Sequence, residues 1–216
     1  MPIHQIPCRE QNNIDLRQAN AVIKHKPNII IFEAPSSISP LFFDSHQTPA
    51  KQKEILKTKI SNLKKVSEKY PWFESDIKVF KNAYDLAKSG HELKMYSVDG
   101  PSELLQQTIV NKWNLMNKPR VRGSVFLWWV YIYLREKIMT ENIRPILKDN
   151  KDKSILIFLQ KFHWLNVQFQ LSNPSKDKLW NYYFGKFEKI KRKDVANILK
   201  KDNDILYKYW IKYSEF

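Results

Sequence analysis

The sequence predicts an α/β fold: a small, mostly parallel sheet with helices packed on it, a site at the carboxyl ends of the strands, and a helical C-terminal tail. Three observations carry this reading. Short apolar-rich runs recur in "NIIIFE", "LKMYSVD" and "SILIFLQ". Helical patterns separate them, which is what crossovers between parallel strands require. From Lys186 onward the pattern is helical throughout, "KRKDVANILKK" and "ILYKYWIKY" around a short "DND" break.

Each element has its own signal. "MPIHQIPCREQNN", which carries His4, precedes the first predicted element. Ile14, Leu16, Ala19, Val22 and Ile23 approximate a 3.6-residue period and predict a helix from Ile14 to His25. Ile29 to Phe32, between Pro27 and Pro35, reads as a strand buried on both faces that ends at Glu33. "SISPLFFDSHQTP" is loop by its Ser and Pro content. "AKQKEILKTKISNLKKVSEKY" is an amphipathic helix with Leu56, Ile60, Leu63 and Val66 inward and its lysines in solvent.

A second helix, Ser75 to Lys88, stops near Gly90. Leu93 to Val98 is a strand ending at Asp99, and Ser102 caps a helix running to about Met116. Arg122 to Met139 is an aromatic core helix, and Ile143 to Lys148 a short continuation after "TEN". The third strand is Ile155 to Gln160, with His163 just beyond it. The length of 216 residues suits one domain, 1–185, with 186–216 packed on or appended to it.

Charge and cysteine usage bound the function classes. A net charge of +15 favours an anionic partner such as nucleic acid. Yet the arginines are few (9, 17, 120, 122, 135, 144 and 192), and lysine is the poorer bidentate phosphate ligand, so a compositional bias explains the charge as well. One cysteine, Cys8, excludes an intramolecular disulfide and a multi-thiolate metal site. With no secretion signal, a cytoplasmic location is expected. The longest uncharged apolar stretch, "GSVFLWWVYIYL", is well short of the ~20 residues that span a bilayer, so no transmembrane segment is expected. Only four glycines and no Gly-rich loop argue against dinucleotide and Walker-type sites.

Individual residues leave alternatives open. Glu33 follows an all-apolar run and must be solvated, paired or metal-bound, as a helix-capping acid or a site residue. His163 is a polar cap on a loop or a ligand at the mouth of the sheet. The tail could be a helix-turn-helix reader or two ordinary packing helices.

Taken together, the order is His4, a helix, "KPNIIIFEAP", further helices, "MYSVDGP", a helix, "LREKIMTENI", a strand, and "IFLQKFHWL". Over residues 1 to about 170 this resembles the TraB and Tiki (GumN-like) superfamily, with erythromycin esterase and the ChaN proteins as wider relatives. Met1 and Gln160 stand where that family has the glycines of its two histidine motifs. The resemblance implies an amide, peptide or ester hydrolase, or a degenerate descendant that keeps the fold without the chemistry.

It implies Glu33, His163 and Arg135 as catalytic residues, with Asp99 as a further strand-end acid. It also implies His4, Glu33 and His163 as ligands of a divalent Zn, Mn, Fe or Co ion, which would lower the pKa of a bound water. A metal-free version uses histidine as general base for water on a small-molecule or peptide substrate. The competing class is a basic binding protein that grips nucleic acid or a protein partner with Trp164, Trp180, Tyr182 and Tyr183.

Overall fold

A computed structural model describes residues 2–5, 16–35, 41–68, 73–105 and 122–216. The fold is α/β. Five strands, β1 (Ile3–Gln5), β2 (Ile29–Pro35), β3 (Leu41–Asp44), β4 (Lys94–Asp99) and β5 (Ile155–Phe158), form one mostly parallel sheet in the order β1-β5-β2-β4-β3. The helices are α1 (Arg17–His25), α2 (Pro49–Ser67), α3 (Phe73–Lys88), α4 (Arg122–Asp149), α5 (Lys161–Leu171), α6 (Lys176–Phe184), α7 (Arg192–Asp202) and α8 (Asp204–Tyr213).

The chain divides into two compact units. One comprises Met1–Glu33, Ile38–Ser97 and Leu147–Phe162, and the other Ala34–Ser37, Val98–Ile146 and His163–Phe216. Residues 186–216 fall within the second unit.

In the first unit the centre of the sheet is apolar. Ile29, Ile30, Ile31, Ile155, Leu156 and Ile157 are fully or almost fully buried. β5 pairs in parallel with β1 (His4 opposite Leu156) and with β2 (Ile30 opposite Leu156). Asn28 locks the entry to β2: its Nδ2 donates to the Glu92 carbonyl and its Oδ1 accepts from the Ser154 amide.

Phe32 stacks on Phe80 of α3 at 5.1 Å, and Asn82 of α3 donates to the Ala19 carbonyl of α1, which ties the helices to one another. α3 ends as expected at Gly90, whose φ of +90° suits a residue without Cβ. In α2, Leu56 is buried while Ile60 and Leu63 are only half-buried, and the Val66 side chain lies outside the described residues.

Several expectations change. His4 lies in a strand of its own, β1, too short and too close to proline to show a period. "LFFD" forms β3, an antiparallel edge strand on β4, in a segment whose Ser and Pro content predicted loop. α4 runs unbroken through "TEN" and contains Pro145. An internal proline costs ~3 kcal/mol, but Ile138, Met139, Ile143 and Ile146 stay buried across the expected break. Burying each such side chain contributes about 1.5–3 kcal/mol, so continuity wins. Of the helix expected from Ser102, residues 102–105 are helical and the remainder lies outside the described residues.

The second unit is built on aromatic packing. Tyr133, Tyr183, Phe184 and Trp210 are buried together, with Phe216 and Trp180 against them. α6 is capped by Ser175, whose hydroxyl accepts from the Lys178 amide, and α8 by Asn203, which accepts from Leu206. α7 and α8 are the two helices expected, and Val195, Leu199, Leu206, Tyr209 and Trp210 bury their inner faces.

One acid in the first unit opposes stability at neutral pH. Burial raises the Asp76 carboxyl from its usual 3.8 to about 6. The folded chain therefore holds that proton more tightly than the unfolded chain, and stability falls as pH rises through this window and stays lowered above it. Asp76→Asn is expected to stabilise the protein by about 1–3 kcal/mol at pH 7 and by almost nothing near pH 4. Urea melts at the two pH values check this; an equal gain at both would refute the assignment.

Candidate active site

The second unit holds a buried polar network centred on two consecutive residues of α4. Helical spacing places Glu136 on the same stripe as Ile132, Met139 and Ile143, all buried, so its carboxylate enters the interior. It is fully buried and is met there by three donors. Oε1 accepts from His163 Nδ1 at 2.8 Å and from Asn166 Nδ2 at 2.7 Å, and Oε2 from the Tyr183 hydroxyl at 2.6 Å. A group that only accepts is the ionised carboxylate.

His163 and Asn166 meet it together because they are three residues apart on α5 and share a face. His163, expected beyond the strand, lies within the first turn of α5 and is 3% exposed.

Arg135 projects to the other nitrogen of the same ring. Its Nη1 is 3.1 Å from His163 Nε2. An arginine N–H can only donate, so Nε2 accepts and Nδ1 carries the ring proton towards Glu136. Arg135 is itself oriented by Asp99 at the end of β4: Nε donates to Oδ1 at 2.7 Å and Nη2 to Oδ2 at 2.5 Å, a bidentate pair. The Gly100 amide adds a further donor to Oδ1. Asp99 is 2% exposed at its side chain and Arg135 17%, so of these two Arg135 is the one partly exposed.

A second arm of the network leads outward. Asn166 Oδ1 accepts from the Tyr182 hydroxyl at 2.5 Å, and Tyr182 is exposed. Tyr183 O–H accepts from Gln170 Nε2 while it donates to Glu136. Burial first, and then the Glu136 charge, hold the Tyr183 phenol well above its usual value, so it stays a donor throughout the physiological range.

Three of the residues singled out from sequence are thus brought together: Asp99, Arg135 and His163. Glu33 and His4 belong to the first unit. Glu33 Oε2 accepts from the Gln160 amide at 2.7 Å, immediately before α5 begins, the contact of a helix-capping acid.

The register separates His4 from it. His4 is level with Ile30, three residues before Glu33, or about 10 Å along the strand at ~3.3 Å per residue. The odd offset also puts the two on opposite faces of the pleat. The His4 ring stacks on His25 with centroids 4.1 Å apart. Among the described residues no three His, Cys, Asp or Glu side chains are grouped to hold a metal ion.

Glu136, Asn166, Tyr182 and Tyr183 were not picked out as members of this site. The available signal for Glu136 was a carboxylate on the apolar stripe of "VYIYLREKIM", which a buried helix tolerates only when it is paired. Of the four aromatics proposed to grip a partner, Trp164 and Tyr183 are buried and Tyr182 is the exposed one. Trp180 is half-buried against Phe184 and Phe216. Among the described residues no helix is long and apolar enough to cross a membrane.

Comparison with protein-family models, curated proteins and solved structures finds no match.

Proposed function

We propose that the chain hydrolyses an ester or amide bond, with His163 as general base for water. The observation that carries this reading is the pair of contacts on one imidazole: Glu136 at Nδ1, 2.8 Å away, and Arg135 at Nε2, 3.1 Å away. A buried carboxylate on Nδ1 sets the tautomer that leaves Nε2 basic. It also stabilises the imidazolium that forms when Nε2 takes a proton from water. Arg135, held through Nε and Nη2 by Asp99, presents Nη1 on the Nε2 side of the ring, where the oxyanion would develop. Water reaches Nε2 by displacing Nη1, and the partly exposed Arg135 is where a small-molecule or peptide substrate would enter. Asn166, itself held by Tyr182, shares Oε1 with the ring, and Tyr183 fixes Oε2.

The metal-free form fits these residues better than a metal-assisted one. An ion at Nε2 would have to displace Nη1 and then sit beside the Arg135 cation, which a neutral water does not. His4 and Glu33 lie on opposite faces of the sheet, so the set His4, Glu33 and His163 does not fit a shared ion. Burial of Trp164 and Tyr183 likewise weakens the reading of a nucleic-acid binding protein.

Turnover of a panel of chromogenic esters and peptide amides is the direct test. His163→Ala is expected to lower kcat by about 10²–10⁴-fold, with activity of the parent chain surviving chelation. Metal content by elemental mass spectrometry, for the parent beside Glu33→Ala and His163→Ala, separates the two mechanisms. Near-stoichiometric metal lost in both variants would overturn the metal-free form. No turnover across the panel, with nucleic-acid affinity that falls steeply with salt, would replace the hydrolase by a binding protein.

A further inference from the structure

In the first unit, α2 carries a row of exposed cations that its own stability does not explain. Between Lys51 and Lys65 every exposed position is polar; five are lysine, and Glu54 is the one acid. Lys51 Nζ is 3.0 Å from Glu54 Oε2, which takes up that acid, and the sixth lysine, Lys59, turns inward over the Phe42 ring at 4.7 Å. Lys53, Lys57, Lys64 and Lys65 have no ion-pair partner among the described residues. Helical spacing sets Lys53, Lys57 and Lys64 within about 40° of one another around the axis, in a row about 17 Å long.

Two ordinary explanations fall short. The helix macrodipole suits Lys64 and Lys65 in the last turn, but not Lys53 and Lys57 in the N-terminal half, and those two repel each other at a spacing of four residues. A general lysine bias would mark α3 as well, in the same unit. There, Glu74 stands four residues before Lys78 and Asp85 four after Lys81, the alternation of a face that meets only water. α3 thus holds three lysines and three acids, whereas α2 holds six lysines and one acid.

We propose that the row Lys53, Lys57 and Lys64 binds the phosphodiester backbone of nucleic acid, without regard to sequence. Lysine is a point charge on a flexible stem and meets a phosphate from many angles. A straight row of such charges fits a polymer whose charges repeat along a line, and its length spans about five phosphates of one strand at ~3.4 Å each. Between Lys51 and Lys65 no arginine or aromatic side chain is present to read or stack a base. No apolar side chain is exposed there either, so the face does not enter a bilayer as an amphipathic helix does. A duplex carries one charge per ~1.7 Å of axis, about twice the density of an extended acidic peptide at ~3.3 Å per residue, and so releases more counterions on binding. The surface is independent of the hydrolysis proposed above: its residues all belong to the first unit, and its contacts go to phosphate, with no part for the buried Trp164 and Tyr183.

Fluorescence anisotropy of a labelled, mixed-sequence duplex of about 20 base pairs, titrated with the whole chain between roughly 50 and 200 mM salt, tests the proposal. The parent is expected to bind with Kd of about 10⁻⁶–10⁻⁵ M at the lower salt and to weaken steeply as salt rises. The triple variant Lys53→Gln, Lys57→Gln, Lys64→Gln should lose about tenfold or more. Its plot of log affinity against log salt should be shallower by about 2–3, since each phosphate contact contributes ~0.9. The triple variant Lys78→Gln, Lys81→Gln, Lys88→Gln on α3 removes the same charge and should lose less than about threefold, with the slope kept. Affinity is read without turnover, so a chain that hydrolyses nothing still decides the matter. No saturable binding at the lower salt, an equal loss in the α3 variant, or an unchanged slope in the α2 variant would overturn the proposal. So would poly-glutamate or phosphatidylserine vesicles that bind the parent as tightly per charge as the duplex and lose as much in the α2 variant, which would make the row a dock for an acidic protein or a membrane.

Discussion

Replacing Glu136 with leucine is expected to cost about 3–5 kcal/mol of stability, enough to unfold a marginal domain at 37 °C. The magnitude follows from what is left behind. His163 Nδ1–H, Asn166 Nδ2–H and the Tyr183 hydroxyl all donate to this one carboxylate, and all are buried. Leucine fills much of the volume and satisfies none of them, so each donor bears a desolvation cost. Glu136→Gln should lose less, because its carbonyl still accepts, but one donor then faces its NH₂. Urea titrations of the three chains give the ranking. A leucine variant within about 0.5 kcal/mol of the parent, the range of an ordinary surface change, would mean that the network is not formed.

The Asp99–Arg135 pair should give the second largest effect, and an asymmetric one. Arg135→Met strands a carboxylate that is 2% exposed at its side chain, so a loss of about 3–5 kcal/mol is expected. Asp99→Asn leaves a partly exposed guanidinium beside His163, and should cost less. In the double variant the buried charge is gone. Its loss should therefore fall short of the sum of the single losses by about 1–3 kcal/mol. Additivity within error would show that the two side chains do not interact. Activity gives a second readout: Arg135→Lys keeps the charge but cannot span Asp99 and His163 at once, so kcat should fall by about 10²-fold or more.

The legibility of the fold differs from element to element. α3 declares itself by its helical pattern and by Gly90, a stop that local sterics demand, and β2 and β5 by short continuous apolar runs. β1 and β3 do not. Three or four residues hold too few periods to be told from loop, and both exist through pairing with strands far away in sequence, β5 and β4. α4 shows the converse failure. Polar "TEN" and Pro145 look like a break, and the burial of residues on both sides overrides them.

Among the candidate site residues, Asp99 and His163 were legible as polar groups at strand ends, and Arg135 through the family resemblance alone. Glu136, adjacent to Arg135, was passed over because a lone acid on an apolar helix reveals its importance only through its partners.

By itself the sequence determined the α/β class, most helices, three of the five strands and the residue types available for chemistry. These depend on contacts within a few residues. Only the tertiary structure decided that His163 is held by Glu136 on one nitrogen and faces Arg135 on the other, and that Asp99 orients Arg135. It also decided that His4 and Glu33 lie on opposite faces of the sheet. Those outcomes rest on strand register and on the pairing of buried charges across 27 to 36 residues of chain. A charge buried in the interior must find a partner wherever folding brings one, and local periodicity carries no record of where that is.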